Sequence, residues 1–103
     1  MIKYNQLIRD KTPALIEDNG LLATTHIAND KEMFLMLQKK LKEEVWEFFI
    51  DESKEELANI MEVIYAICKN KWFSIQEIED LRITKRNEKW WFDGKIILDS
   101  IDF

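Results

Sequence analysis

Between Phe34 and Cys68 apolar residues recur at spacings of three and four, and the pattern is interrupted once, at Asp51-Glu52-Ser53. Phe34, Leu37, Leu41, Val45 and Phe48 form one stripe, and Leu57, Met61, Ile64 and Cys68 form the next. This period is that of a helix face turned to a core. The first helix is expected from a cap at Asn29 or Asp30 to about Ile50, and the second from the capping box Ser53-Lys54-Glu55-Glu56 to about Lys69. So short a joint makes the two helices antiparallel, an αα-hairpin.

The rest of the chain is read around that hairpin. With 2 Gly and 1 Pro in 103 residues there are few turn formers, which argues against a sandwich of many short strands and for a mainly α domain. A third helix is expected from Ser74, with Glu77 as its box partner, to about Arg86. Lys3 to Lys11 reads as a loop or extended arm leading into a short helix that Thr12 caps, with Pro13 in its first position and Asn19-Gly20 as its stop. Leu21 to Ala28 and Lys95 to Ile101, the latter just past an Asp93-Gly94 turn, have the composition for a small two-stranded pairing. No repeat or linker divides residues 1–103, so a single domain is expected. The absence of a signal-peptide pattern and of an apolar run of about 18 residues predicts a soluble, cytoplasmic protein with no membrane partner. The lone Cys68 fits a reducing compartment.

Charge is distributed unevenly. From Glu43 to Glu62 eight acids face the single base Lys54, a local −7 in a chain whose total is −5, so the remainder carries +2. That balance does not suit a binder of nucleic-acid polymers. On a helical wheel Glu44 lies about 20° outside the apolar arc of the first helix and Glu47 about 60° further round, while Glu43 points more to solvent. Glu56 borders the arc of the second helix, near Ile60, Val63 and Ile67, with Asn59 about 60° beyond it. Carboxylates turned to a helix interface must be neutralised, paired or bound to a cation, and Mg²⁺ prefers such oxygen donors together with substrate phosphates. The alternative is that these acids are solvated helix residues and that Glu56 serves only as a capping acid.

Glu43-Glu44-Val45-Trp46-Glu47 followed by Glu56-Leu57-Ala58-Asn59 resembles the Glu-Glu-x-x-Glu and Glu-x-x-Asp pattern of the MazG-like, phosphoribosyl-ATP pyrophosphohydrolase-like members of the all-α nucleoside-triphosphate pyrophosphatase superfamily. The opening Tyr4-Asn5-Gln6-Leu7-Ile8-Arg9-Asp10-Lys11-Thr12-Pro13 is similar to the start of one subgroup, and Lys85-Arg86 with Phe92 to Leu98 to its close. The resemblance implies Mg²⁺-dependent (or Mn²⁺-dependent) cleavage of a nucleoside triphosphate between its α and β phosphates. It implies Glu44, Glu47, Glu56 and Asn59 as metal ligands, Glu43 as a supporting acid, and Glu47 as a group able to take the proton of the attacking water. Arg9, Lys11, Lys85 and Arg86 are the implied phosphate contacts. A homodimer or homotetramer is implied as well.

Two positions depart from the pattern. Asn59 replaces an acid, lowering the charge of the four-residue site from −4 to −3, with Glu62 as an alternative ligand one turn on. Asn87-Glu88-Lys89-Trp90-Trp91 stands where the subgroup has small glycines, and its two indoles, Trp91 among them, are either base-stacking residues or part of a core or subunit interface. Beside the enzyme reading stand two others: a nucleotide-binding protein whose catalysis is weakened or lost through Asn59, and a structural helical oligomerisation module. His26 is not expected to be a ligand, Cys68, Met33, Met36 and Met61 are expected in the core, and Trp46 and Trp72 in packing or an interface.

Overall fold

The structure, a computed structural model, describes residues 2–103 and is mainly helical, with α1 at Thr12–Asp18, α2 at Asp30–Asp51, α3 at Lys54–Asn70 and α4 at Ile75–Lys89. It divides after Trp72 into two compact units, the first holding α1 to α3 and the second α4 with the segment that follows it. No helix of the described residues is long and apolar enough to cross a membrane.

In the first unit α2 and α3 pack against each other as the expected hairpin. Asn29 caps α2, its side chain accepting from Glu32 N–H at 2.8 Å, and Ser53 Oγ caps α3 by accepting from Glu56 N–H at 3.2 Å. Glu52 makes the reversal in a left-handed conformation, φ 47° and ψ 34°, and its N–H closes on Phe48 O at 2.7 Å. At the opposite end of the hairpin Asn70 Nδ2 donates to Asp30 O at 3.2 Å, and Lys71 Nζ lies 3.5 Å from the centre of the Phe34 ring. The helices are thus fastened at both ends of their shared face.

Leu37, Val63 and Cys68 are the buried apolar side chains of this interface. On α3 the inward face is the one carrying Val63, with Ile60 and Ile67 half-buried beside it. The stripe expected to face the core is rotated outward: Leu57, Met61 and Ile64 are exposed, and only Cys68 of that set is buried. Helix α3 is apolar on two adjoining faces, and the one it buries is that nearer Glu56. The expectation that Met61 is a core residue is corrected accordingly.

Three further differences concern local chemistry. Thr12 is the first residue of α1 rather than its cap; Lys11 holds the cap position without a side-chain bond, because its ammonium has no acceptor, and Arg9 O takes the Thr12 N–H at 3.0 Å. The stop is as expected, with Gly20 at φ 79° and its N–H on Glu17 O at 2.9 Å. Among the described residues there is no strand, so neither Leu21 to Ala28 nor Lys95 to Ile101 forms one. The first stretch lacks alternation and leaves Leu22 and Ile27 exposed, and the second begins on a left-handed Lys95 with φ 53°.

In the second unit Ser74 Oγ accepts from Glu77 N–H at 3.3 Å and opens α4, which buries no residue. The helix continues to Lys89, one turn past the expected end, with Arg86 and Lys89 in the last turn, where cations complement the helix dipole. Trp90, at φ 70° and ψ −157°, ends it.

Candidate metal centre

The turn-proximal half of the hairpin places Glu44 and Glu47 of α2 against Glu56 of α3. One carboxylate oxygen from each lies within 4.8 Å of the other two. Their environments differ: Glu44 is buried, Glu56 half-buried and Glu47 exposed, so the cluster runs from the helix interface out to solvent.

Glu44 is the residue that needs explaining. It is 8% exposed and is the buried charged side chain of the molecule. Lys40, one turn earlier, reaches Glu44 Oε1 at 3.8 Å, but Oε2 is buried without a hydrogen-bond partner, and so is Glu56 Oε2. Burial holds the Glu44 carboxyl above its ordinary value of 4.5, and the neighbouring Glu47 adds to the rise; Lys40 opposes it and Glu56 contributes further. Two unit charges at 4.8 Å repel by about 1 kcal/mol in water and several times that in a partly dry cleft. Without a cation the arrangement is therefore strained by burial and repulsion together.

A hard divalent cation fits this donor set. It would take one carboxylate oxygen from each residue and turn repulsion among three acids into shared attraction.

The other expected residues are distributed around this cluster or apart from it. Glu43 is half-buried and accepts from Gln6 Nε2 of the N-terminal arm at 3.4 Å. Asn59 Oδ1 accepts from Arg9 Nη2 at 3.1 Å, which brings the arm to α3 as well. Lys11 is exposed at the start of α1, and Glu62 is exposed on α3, outside the trio. Lys85, Arg86 and Trp91 belong to the second unit, where the Arg86 guanidinium lies 4.7 Å over the Trp91 ring, a cation–π contact. His26 pairs with Glu32 at 2.9 Å, away from the trio. Sequence reasoning missed Lys40 and Gln6. The i,i+4 spacing of Lys40 to Glu44 was a usable signal for the first, whereas nothing local marks the second.

Comparison of the chain with protein-family models, curated proteins and solved structures finds no match.

Proposed function

We propose that the protein is a Mg²⁺-dependent nucleotide pyrophosphohydrolase of the MazG-like type, adding water across the α–β phosphoanhydride of a nucleoside triphosphate to give a nucleoside monophosphate and pyrophosphate. One observation carries the reading: Glu44 is buried and clusters with Glu47 and Glu56, and although Lys40 reaches its Oε1 at 3.8 Å, its Oε2 is left without a partner. A solvated helix acid would stand in water, and a purely structural acid would have both oxygens satisfied. The ordered match of Glu43-Glu44-x-x-Glu47, Glu56 and the Tyr4 to Pro13 segment supports the same conclusion.

In this reading Glu44, Glu47 and Glu56 hold the cation, which supplies charge neutralisation at the phosphates and an acidified water. Glu44 and Glu56 anchor it from the packed side of the hairpin, and Glu44 gives up its raised affinity for a proton on binding. Glu47 stands at the solvent edge, where it receives the proton of the attacking water. Arg9 and Lys11 on the arm bind the phosphates, and Lys85, Arg86 and Trp91 are the further substrate contacts that the resemblance implies. The protein works in the cytoplasm as a homodimer or homotetramer. Support for assembly comes from the exposed apolar surface of the hairpin: Trp46, Phe49 and Ile50 on α2, with Leu57, Met61 and Ile64 on α3. Leu41, Lys42, Val45, Trp46 and Phe49 line an open apolar groove of about 400 Å³ on that surface.

Purified protein, Mg²⁺ and a panel of canonical and modified nucleoside triphosphates, assayed for pyrophosphate, test the reading. Release that the double variant Glu44→Gln/Glu47→Gln abolishes is expected; the absence of any such release overturns it. A second reading, a nucleotide-binding protein with little turnover, is favoured by the three-carboxylate cluster that Asn59 leaves. It predicts calorimetric nucleotide binding without pyrophosphate release.

A further inference from the structure

The N-terminal arm is tied to the hairpin by two long-range hydrogen bonds, one to each helix: Gln6 to Glu43 on α2 and Arg9 to Asn59 on α3. Asn59 follows Glu56 by three residues and so stands on the same flank of α3, one turn beyond the carboxylate cluster. Its amide oxygen accepts from the Arg9 guanidinium without neutralising it. A carboxylate at this position would form a charge-assisted, bidentate pair with Arg9 and cancel its charge. The guanidinium uses one of its five N–H donors on Asn59, and among the described residues no acid comes within 4.0 Å of it to form an ion pair. An oriented, uncompensated cation therefore stands one helical turn from a cluster of three acids.

We infer that Asn59 is a positioning residue rather than a cation ligand: it holds Arg9, charged and aimed, at the edge of the carboxylate cluster to take the phosphate oxygens of a polyphosphate ligand. The inference rests on the cation reading of the cluster given above. It assigns the departure at Asn59 a purpose. An acid there would add charge to the cluster but neutralise the nearest phosphate-binding group, so the neutral amide keeps cation binding and anion binding on separate side chains.

Titration calorimetry with two probes tests this. Mn²⁺ alone reports on the carboxylates, and inorganic tripolyphosphate in saturating Mg²⁺ reports on the anion site without a base contribution. Asn59→Ala and Arg9→Ala are each expected to leave the Mn²⁺ dissociation constant within about twofold and to weaken tripolyphosphate about tenfold, the loss of one charged hydrogen bond. The double variant is expected to be no weaker than Arg9→Ala alone, because the two residues act as one unit, a non-additivity that a merely structural role for Asn59 does not produce. Arg9→Ala removes an exposed side chain of the arm and tests the anion site independently of hairpin folding. Weakening of Mn²⁺ alone by tenfold or more in Asn59→Ala makes Asn59 a ligand and overturns the inference, as does unchanged tripolyphosphate binding in either single variant. If the unaltered protein binds Mn²⁺ but no tripolyphosphate, the inference fails while the cation reading stands. If it binds no Mn²⁺, the cation reading fails first and the inference falls with it.

Discussion

Two capping boxes in this chain are alike in sequence and differ in what becomes of their acids. Ser53 and Ser74 each accept a bond from the glutamate N–H three residues on, at 3.2 and 3.3 Å. Glu77 then stays at the surface of a helix with no buried residue, whereas Glu56 is half-buried, carries an unpartnered Oε2 and clusters with Glu44 and Glu47. The cap is local and its energy is set by four residues. The fate of the acid is set by what packs beside it, and α3 has α2 pressing on that side.

The widest separation between the two boxes is expected in catalysis. Glu56→Gln should lower Mg²⁺-dependent pyrophosphate release at least about a hundredfold, roughly 2.7 kcal/mol or more in the barrier, while Glu77→Gln leaves it unchanged. Equal effects from the two variants would dissolve the contrast. Next in size is stability without metal. Glu44→Gln, which removes the buried charge that meets Glu56, should raise the unfolding free energy of the metal-free protein by about 1–3 kcal/mol in urea melts. Glu77→Gln should change it by less than about 0.5 kcal/mol.

Acidity gives a third handle. Because the folded-state value of Glu44 is raised above 4.5, the folded protein binds a proton that the unfolded chain has released. Its contribution to stability is complete below pH 4.5 and is lost as pH rises through the folded value. Thermal melts of metal-free protein should therefore show this loss, and Glu44→Gln should remove it. Millimolar Mn²⁺ should restore stability on the alkaline side by mass action. The smallest expected difference is in the caps themselves. Ser53→Ala and Ser74→Ala should each cost about 1 kcal/mol of stability, and a much larger loss for Ser53 would mean that the cap and the cluster are one cooperative unit.

Much of this was legible in the chain. The break at Asp51-Glu52-Ser53 between two stripes specifies the hairpin, and the wheel position of Glu44 already turns it toward the partner helix. The inward face of α3 was not legible, because Leu57-Met61-Ile64 and Ile60-Val63-Ile67 are equally apolar, and periodicity identifies a face without saying what lies opposite. Only packing against α2 selects between them, and that choice brings Glu56 inward. The Arg9–Asn59 bond spans 50 positions and follows no period, so nothing local announces it. Extended composition misled at Leu21 to Ala28, where apolar residues lack the alternation that gives a strand one buried side.

The left-handed Glu52 has a kinetic consequence. The chain reverses there within a few residues of Glu47 on one side and Glu56 on the other, so the acids that meet across the hairpin are close neighbours along the chain. Closing so short a loop costs little entropy and takes well under a millisecond. The like charges of these acids oppose closure during this earliest step, and a divalent ion held by them would act on the nascent hairpin as much as on the finished fold. Added Mn²⁺ should then speed refolding and not only slow unfolding, which makes the ion a participant in the order of assembly.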